Sequence, residues 1–471
     1  MKSIVRSCWV ITFIATLAFA PIVGAEELTL DDCIELALKN RASIIRALGN
    51  EKIASAEKWA ALGAFMPRIS GSASYSEGKD TDIKFEQEAR ELVSVDSFFV
   101  SATDTGGNPL TLIFPDPQFR DLGIQEFTAP DQDRTSKSMS LSAQMNLFNI
   151  PTWFNYAAAR ANHESARLNV LASEQDLIYS VKVAYSAFLL THENLGVQQE
   201  AVRRADEQLK LIESRFELGS ASKSDVLKQK VQYGNDRLEL LRAENAVTNN
   251  RAYLAYTIGL DPRQNWEFET SFGGREYTGT LDEAIEFGLT HKPSLLAAEA
   301  GTRAAGRWKK AAMAEYFPTI TGWASMSYSE GTRGDTVTFD QSSRSQSFGV
   351  QLNWNIFNGF SREAGISRAK IAYNNSRAEL TDAKNLAVSD IKTAYLDIEQ
   401  LREQKTVSQE NVNAAEEDLR ITQEKYNLGA ATILDLLDAQ VSMKDAQRSL
   451  IRVDFDLNLA IAKLENAMGK M

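Results

Sequence analysis

The side chains most often used for catalysis or metal binding are sparse in this chain and lie far apart. No two histidines lie at metal-ligand spacing from each other. The three are His163, His192 and His291. Gly106 and Gly107 lie in a loop, and no glycine-rich phosphate loop follows a strand pattern. The sequence therefore predicts no enzyme, no metal site and no cofactor.

Three aspartates stand just after two glycine-containing turns. Asp225 follows Ser222 by three residues, and Asp435 follows Thr432 by three. This is the spacing of a capping box, with Asp in place of Glu, in which two side chains satisfy free N–H groups of a helix start. Asp438 lies one helical turn further along. Capping therefore explains two of the three acids and leaves Asp438 without a role.

The turns before these aspartates belong to an internal repeat. Leu218-Gly219-Ser220 matches Leu428-Gly429-Ala430, and in each the glycine is placed to end a long helix. We call these two segments the tip turns. Residues 65–71 match 316–322, and 147–149 match 356–358. The chain is thus a tandem duplication, with a first repeat at 26–259, a joint at 260–280 and a second repeat at 281–471.

Each repeat is predicted to contain a short helix, a medium helix, two alternating segments, a very long helix and another medium helix. The long helices, about 151–217 and 359–427, carry apolar residues at sevenfold spacing, which favours coiled-coil packing. The first line is Val181, Phe188, Leu195, Val202, Leu209 and Phe216. Nearly 70 residues at helical rise give a rod of roughly 100 Å. Each repeat can supply two such rods.

Four segments of about ten residues alternate between apolar and uncharged polar side chains. They lie at about 67–77, 138–148, 318–328 and 346–357, and Trp323 is an exception on the polar side of the third. This length and pattern are typical of strands in a membrane β-barrel. Four strands cannot close a barrel around water, and an open edge is not tolerated in lipid. Several chains must therefore contribute strands.

The formal net charge is −12, which argues against a nucleic-acid partner because such binding needs a basic surface. Residues 1–25 resemble a secretory signal peptide. Lys2 and Arg6 precede an apolar stretch, and Val23-Gly24-Ala25 offers small residues at the cleavage site. Cleavage there would leave Cys33 without a disulfide partner in the chain.

Between the first two strands lies a long insert, residues 79–135. It is rich in Asp, Gly, Pro and Ser but also holds several phenylalanines, among them Phe98 and Phe114. A folded cap over the barrel mouth, outside the cell, is expected in preference to a disordered loop.

Taken in order in both halves, these motifs resemble the TolC family of outer-membrane efflux and export proteins. The resemblance rests on Leu147-Phe148-Asn149, Ile356-Phe357-Asn358-Gly359, His291-Lys292-Pro293 and the tip sequences 216–225 and 426–438. The resemblance covers nearly the whole mature chain. It implies a mainly α fold with a membrane β-barrel: a homotrimer in which four strands per chain form a shared twelve-stranded barrel, continued by a twelve-helix coiled-coil tunnel.

The resemblance also implies partners and a gate. A periplasmic adaptor (membrane fusion protein) would dock at the tip turns, together with an inner-membrane transporter of the RND or ABC type, and the barrel would contact outer-membrane lipid of a Gram-negative bacterium. Acids at the positions of Asp435 and Asp438 would form rings at a periplasmic constriction. Asp225 and Tyr426 match partners of a polar latch, but the arginine expected near 431 is Ala431.

The favoured hypothesis is therefore a passive exit duct across the outer membrane and periplasm, serving a tripartite efflux pump or a type I secretion system. The alternative is a periplasmic coiled-coil adaptor or scaffold without a pore. Four segments of bilayer length favour the duct, because an adaptor has no use for them. The exported substrate is left open.

Overall fold

The structure is a computed structural model that describes residues 27–80, 84–103, 106–107, 109–128, 132–270, 276–333 and 341–470. The expected signal peptide lies outside the described residues, as does the part of the joint at 271–275. The elements are, in order, α1 Leu30–Asn40, α2 Ala42–Gly63, β1 Arg68–Asp80, β2 Lys84–Thr103, β3 Pro109–Thr128, β4 Gln132–Phe148, α3 Ile150–Glu217, α4 Lys223–Ile258, α5 Leu281–His291, α6 Pro293–Met313, a 3₁₀ turn Ala314–Tyr316, β5 Thr319–Arg333, β6 Gln341–Asn353, α7 Ser361–Asn427 and α8 Ile433–Met468.

The chain divides into two compact units. One, the helical unit, comprises residues up to 58, 157–309 and 366–471; the other, the sheet unit, comprises 59–156 and 310–365. The mainly α fold with a β part, predicted from the sequence, is confirmed. Among the described helices, none combines the length and the apolar character that a membrane crossing requires.

The helical unit has two equivalent cores, one in each repeat. In the first, Cys33 of α1 packs with Val181 and Phe188 of α3 and with Leu254 of α4, and all four side chains are buried. The second core is built from Ala284, Ile391, Ala394, Ile398, Ala460, Ile461, Leu464, Ala467 and Met468. The heptad line predicted from the sequence thus forms the core at Val181 and Phe188. Its last member, Phe216, is 40% exposed in the single chain.

Both repeats close with a glycine packed against the preceding short helix. Gly259 (φ 80°) caps α4, and a Cβ there would lie 2.9 Å from Cβ of Asn40. Gly469 (φ 82°) caps α8, and a Cβ there would lie 2.6 Å from Cα of Lys292. Both positions need a left-handed backbone and close approach, which only glycine allows.

The sheet unit contains one antiparallel four-stranded sheet in the order β1-β4-β5-β6. Because period-2 alternation is kept across the register, one face carries apolar side chains such as Ile69, Leu141 and Phe348, and the other carries mainly serines. Strands β1 and β6 are the two edges of the sheet within this chain. Within the described residues, no strand pairs with their outward N–H and C=O groups.

The fourth strand was expected to run to about 357 but ends at Asn353. Beyond Asn353, the buried guanidinium of Arg362 donates hydrogen bonds to the carbonyl oxygens of Asn355 (2.9 Å) and Ile356 (3.3 Å). It also lies 3.9 Å from the ring centroid of Tyr316. These carbonyls therefore bond to a side chain from the start of α7, which ends the strand.

The long insert contains a second, two-stranded sheet. β2 and β3, each 20 residues long, pair antiparallel from Lys84 opposite Thr128 to Thr103 opposite Pro109. Phe98 stacks on Phe114, its cross-strand neighbour, with ring centroids 5.4 Å apart. The insert therefore has regular β structure in its described part. Its location outside the cell remains a prediction.

Candidate functional site

The tip turns have the same geometry in both repeats. After α3, Gly219 (φ 76°) donates to the oxygen of Phe216 (2.9 Å), and Ser220 donates to that of Arg215 (2.8 Å). After α7, Gly429 (φ 75°) donates to Tyr426 (3.1 Å), and Ala430 to Lys425 (2.8 Å). This pair of bonds defines a Schellman motif, which satisfies the last carbonyls of a helix. Each long helix thus ends in a fixed, glycine-dependent turn.

The two helices that follow begin with the capping boxes expected from the sequence, and these are confirmed. The Ser222 hydroxyl accepts from Asp225 N (3.1 Å), while Asp225 Oδ2 accepts from Ser222 N (3.2 Å). Thr432 and Asp435 repeat the arrangement at 3.3 and 2.7 Å. Hydrogen bonds from the Thr432 hydroxyl and then from its backbone N–H hold the pKa of Asp435 below its usual value. Asp435 is therefore charged at neutral pH.

A small apolar cluster holds the two capped starts against α3. Ile212 and Leu436 are fully buried there. The cluster also contains Leu209, Val226 and Ile433. Because Val226 follows Asp225 directly and Leu436 follows Asp435, burial of the apolar neighbours fixes the direction in which each acid points. Both turns are thus positioned by one core that draws on both repeats.

Asp435 and Asp438 lie on the solvent side of α8. In this helix Ile433, Leu436 and Ala439 are buried, whereas both aspartates between them are exposed in the single chain. They are one helical turn apart, so they share a face. Two neighbouring carboxyl groups therefore lie exposed on one side of the helix, one of them bonded to Thr432, as an inward-facing acid pair would need.

Tyr426 and Asp225, the other two proposed gate residues, lie near each other within the chain. Burial raises the pKa of the Tyr426 hydroxyl, the positive charge of Arg215 lowers it, and the carboxylate of Asp225 raises it further. Arg215 lies over the Tyr426 ring, with Cζ 5.4 Å from the centroid, and its Nη2 donates to Asn427 Oδ1 (3.1 Å). An arginine is therefore present at this junction even though residue 431 is alanine.

Sequence analysis gave Arg215 no role. The signal was available in part: Arg215 and Lys425 are repeat equivalents, and both stand one turn before a tip turn. Sequence spacing could not show that Arg215 crosses to the other repeat, because its partners lie more than 200 residues away.

The leucines of the tip turns project into solvent. Leu218 is 83% exposed and Leu428 is 85% exposed. A large apolar side chain this exposed, on a rigid turn, is typical of a contact surface for another protein. Both turns therefore present the same chemistry, one leucine beside a left-handed glycine.

Above the tip, a buried ion pair joins the medium helices of the two repeats. Lys444 Nζ of α8 lies 3.0 Å from Asp236 Oδ1 of α4, and Gln232 donates to the other carboxylate oxygen at 3.0 Å. No sequence motif indicated this pair. Within the described ranges, no group of three or more His, Cys, Asp or Glu side chains is placed to hold a metal ion.

Comparison with known proteins gives one family for both repeats. Residues 33–260 and 285–470 match the family described as outer membrane efflux protein. Outer membrane protein TolC of Vibrio cholerae is 23% identical over 336 residues, which is 71% of this chain and 77% of that protein. The alkaline protease secretion protein AprF of Pseudomonas aeruginosa is 22% identical over 346 residues, 72% of this chain and 71% of AprF.

The fold is likewise found among solved structures. The crystal structure of the outer membrane protein VceC from Vibrio cholerae superposes with a TM-score of 0.72 at 20% identity, covering 94% of this chain and 96% of that one. At this identity the likeness establishes the fold. The order of helices and strands in the two repeats is therefore shared with a known outer-membrane protein.

Proposed function

Since the chain belongs to the outer membrane efflux protein family, we propose that three copies of it join to form one exit duct with a gated periplasmic end. The protein is an outer-membrane channel of the kind that serves efflux pumps and type I secretion systems, in a Gram-negative outer membrane with a periplasmic tunnel. The alternative of a periplasmic scaffold without a pore finds no support in this family.

The proposed trimer is supported by the four-stranded sheet, whose outer strands β1 and β6 each have a neighbour on one side only among the described residues. One face of the sheet is apolar and the other is lined by hydroxyl groups, which suits lipid outside and water inside. In lipid each edge N–H and C=O must be paired, so β1 of one copy has to meet β6 of the next. Three copies give twelve strands, enough to enclose water, whereas about eight would fill with side chains.

The helical ends support a gate. Asp435 and Asp438 share an exposed face of α8, and three copies around one axis would bring six carboxylates together. Such a ring attracts cations and repels anions. Tyr426 packs on the cluster that holds Ile433 and Leu436, and with nearby Asp225 and Arg215 it would narrow the opening by holding the helix ends together.

The tip turns are the proposed docking points for partners. Leu218-Gly219-Ser220 and Leu428-Gly429-Ala430 offer six equivalent exposed leucines in a trimer, to which a periplasmic adaptor with an apolar contact surface would bind. An inner-membrane transporter, of the RND or ABC type, would supply the energy. One relative, AprF, is a protease secretion protein, so the exported substrate could be a protein or a small molecule.

The trimer can be tested by disulfide crosslinking between sheet edges. Ser72 of β1 is changed to cysteine in a Cys33→Ala background, together with Ser343, Ser345 or Ser347 of β6 in turn. The three β6 positions are needed because the register between copies is not fixed by the chain itself. One of the combinations should give covalent trimers on denaturing gels after mild oxidation of whole cells.

The matched control pairs Ser140→Cys of β4 with Ser327→Cys of β5, which are direct cross-strand neighbours within the chain. This pair should oxidise without changing the mass of the monomer band. A chain that gives only monomers with all three edge combinations, while the control pair oxidises, would rule out the closed trimer.

A further inference from the structure

Serine is the most frequent residue on the polar face of the four-stranded sheet. Three successive rows cross all four strands, and each row holds four serines: Ser70, Ser142, Ser325 and Ser347; Ser72, Ser140, Ser327 and Ser345; Ser74, Ser138, Ser329 and Ser343. Neighbouring hydroxyls are 2.7–2.8 Å apart at five of the cross-strand pairs. In the proposed channel this face is the wall of the lumen, so at these three rows the wall is neutral and rich in hydroxyl groups.

Trp323 is the one aromatic residue on the polar face of β5. It shares the face with Thr321 and Ser325 of its own strand, and its cross-strand neighbours are Gln144 and Gly349. The diagonal neighbours on this face are also uncharged: Ser142, Asn146, Ser347 and Gln351. The immediate neighbours of the ring can therefore hydrogen-bond and carry no charge, and the nearest charged position in its row is Arg68, opposite Gln144.

The position of the indole is fixed by a glycine. A Cβ added to Gly349 would lie 3.1 Å from Cζ2 and 3.2 Å from Cε2 and Nε1 of Trp323. The ring thus rests directly on the backbone of β6, in space that any other residue would fill. Its remaining surface is open, and the residue is 39% exposed.

The indole N–H of Trp323 is also available. Trp354 and Trp266 donate theirs to the backbone oxygens of Tyr316 (3.1 Å) and Asp261 (3.0 Å). Trp323 makes no such bond within the described residues, and neither do Trp59, Trp153 and Trp308. Its N–H is therefore open to a ligand, on a ring whose position is fixed by its packing on Gly349.

We propose that Trp323 is a stacking site in the lumen for a flat ring that bears hydroxyl groups on its rim, either a sugar ring or a hydroxylated aromatic ring. The indole face binds the flat side of the ring, and the hydroxyls of Ser325 and Ser347 and the amide of Gln144 bond to its rim. The site rests on the proposed channel, because only closure with the serine face inward places Trp323 in the lumen. Weak, reversible binding suits a passage, since the ring has to leave again.

The test is single-channel recording with the purified protein in a planar bilayer, with each probe added to the bath. Maltohexaose represents a sugar ring, catechol a hydroxylated aromatic ring, and sorbitol a polyol without a ring. Brief current blocks give a Kd for each probe. We expect blocks by at least one ring-bearing probe and none by sorbitol.

Trp323→Ala and Trp323→Leu should weaken this binding about three- to tenfold, the range expected for loss of one aromatic contact. Leu keeps apolar bulk without a ring face, so it also serves if the smaller variant does not assemble. Trp323→Phe should keep most of the binding. Phe348→Ala is the matched control, because it removes an exposed ring from the opposite face of the neighbouring strand, and it should leave the Kd unchanged.

Binding by maltohexaose alone would assign sugars, and binding by catechol alone would assign hydroxylated aromatic rings. A channel that conducts but shows no blocks, or blocks with the same Kd in Trp323→Leu, would overturn this inference and leave the proposed function standing. The absence of any conductance would instead contradict the proposed function.

Discussion

The ammonium group of Lys444 lies 3.0 Å from Oδ1 of Asp236, and this contact ties the second repeat to the first. The side chains are only 15% and 7% exposed. A buried pair of this kind adds little stability over a well-packed apolar pair, but removal of one partner leaves an unpaired charge away from water. The pair therefore fixes how α4 and α8 lie against each other, about three turns beyond their first residues, Lys223 and Ile433.

Asp236→Ala should destabilise the helical unit by roughly 3–5 kcal/mol, because it leaves the Lys444 ammonium buried without a partner. The double variant Asp236→Leu with Lys444→Met should recover most of the loss. Thermal unfolding followed by helical circular dichroism in detergent measures both. Arg452→Ala, which removes an exposed cation from the same helix α8, is the control and should change little. Equal stability of Asp236→Ala and the double variant would contradict this reading.

The cap at the start of α8 should matter locally and should depend on pH. Thr432→Ala should loosen the first turn of α8 by about 1 kcal/mol, seen as faster amide exchange at residues 433–437. The folded-state pKa of Asp435 is depressed below 3.8, so its stabilising contribution is present above pH 3.8 and is lost as the pH falls through the lower folded value.

The difference in exchange between wild type and Thr432→Ala should therefore be full at pH 6 and shrink below pH 3.8. Thr381→Ala is the control, since Thr381 lies within α7 and its hydroxyl bonds to the carbonyl of Arg377, one turn back. An effect of Thr432→Ala that stays constant from pH 6 to pH 3 would show that Asp435 takes no part in the cap.

Cys33 should be almost inert in the folded protein. It is fully buried, and burial followed by the nearby charge of Asp32 raises the pKa of its thiol to about 12 from 9.0. Because the thiolate is the nucleophile, this lowers its population by about a thousandfold at pH 8. A maleimide reagent should label Cys33 only after denaturation, whereas a cysteine placed at exposed Ser224 should react at once. Fast labelling of native Cys33 would mean that the first core opens readily.

The insert at residues 79–135 should be the first site cut by protease added to intact cells. Its described part contains two long paired strands, and Gly106 and Gly107 lie in the short connection between Thr103 and Pro109. Turns at the end of hairpins are preferred cleavage sites. Mass spectrometry of the fragments identifies the cut. Protection of the insert together with cleavage at residues 218–222 would reverse the proposed orientation in the membrane.

The architecture could be predicted well from the sequence because the chain contains the same pattern twice, once in each repeat. Helix ends were found from glycines such as Gly219 and Gly429, and capping acids from their spacing, since both signals are local. The end of β6 was predicted wrongly because it depends on a residue of the next helix: Arg362 donates hydrogen bonds to the carbonyl oxygens of Asn355 and Ile356. Contacts between the repeats could not be predicted either, because they join residues that are far apart in the sequence.

Only part of the candidate gate could be predicted from the sequence. The spacing from Thr432 was enough to predict that Asp435 caps α8. The structure adds that Asp435 lies on the exposed face of the helix, because Leu436 beside it is buried. Arg215 was not recognised, because its contact with Tyr426 joins residues far apart in the chain. What the acids face in an assembled protein depends on other copies, so no single chain determines it.

The most direct test of the account is conductance of the purified protein across a planar bilayer, with ion selectivity measured from the reversal potential in a salt gradient. We expect discrete steps with a preference for cations, and the double variant Asp435→Asn with Asp438→Asn should conduct but lose that preference. Unchanged selectivity in the double variant, with lower thermal stability, would mean that these acids serve only the helix start. A trimer that inserts into the bilayer and gives no conductance steps would contradict the central claim that the chain forms an export duct.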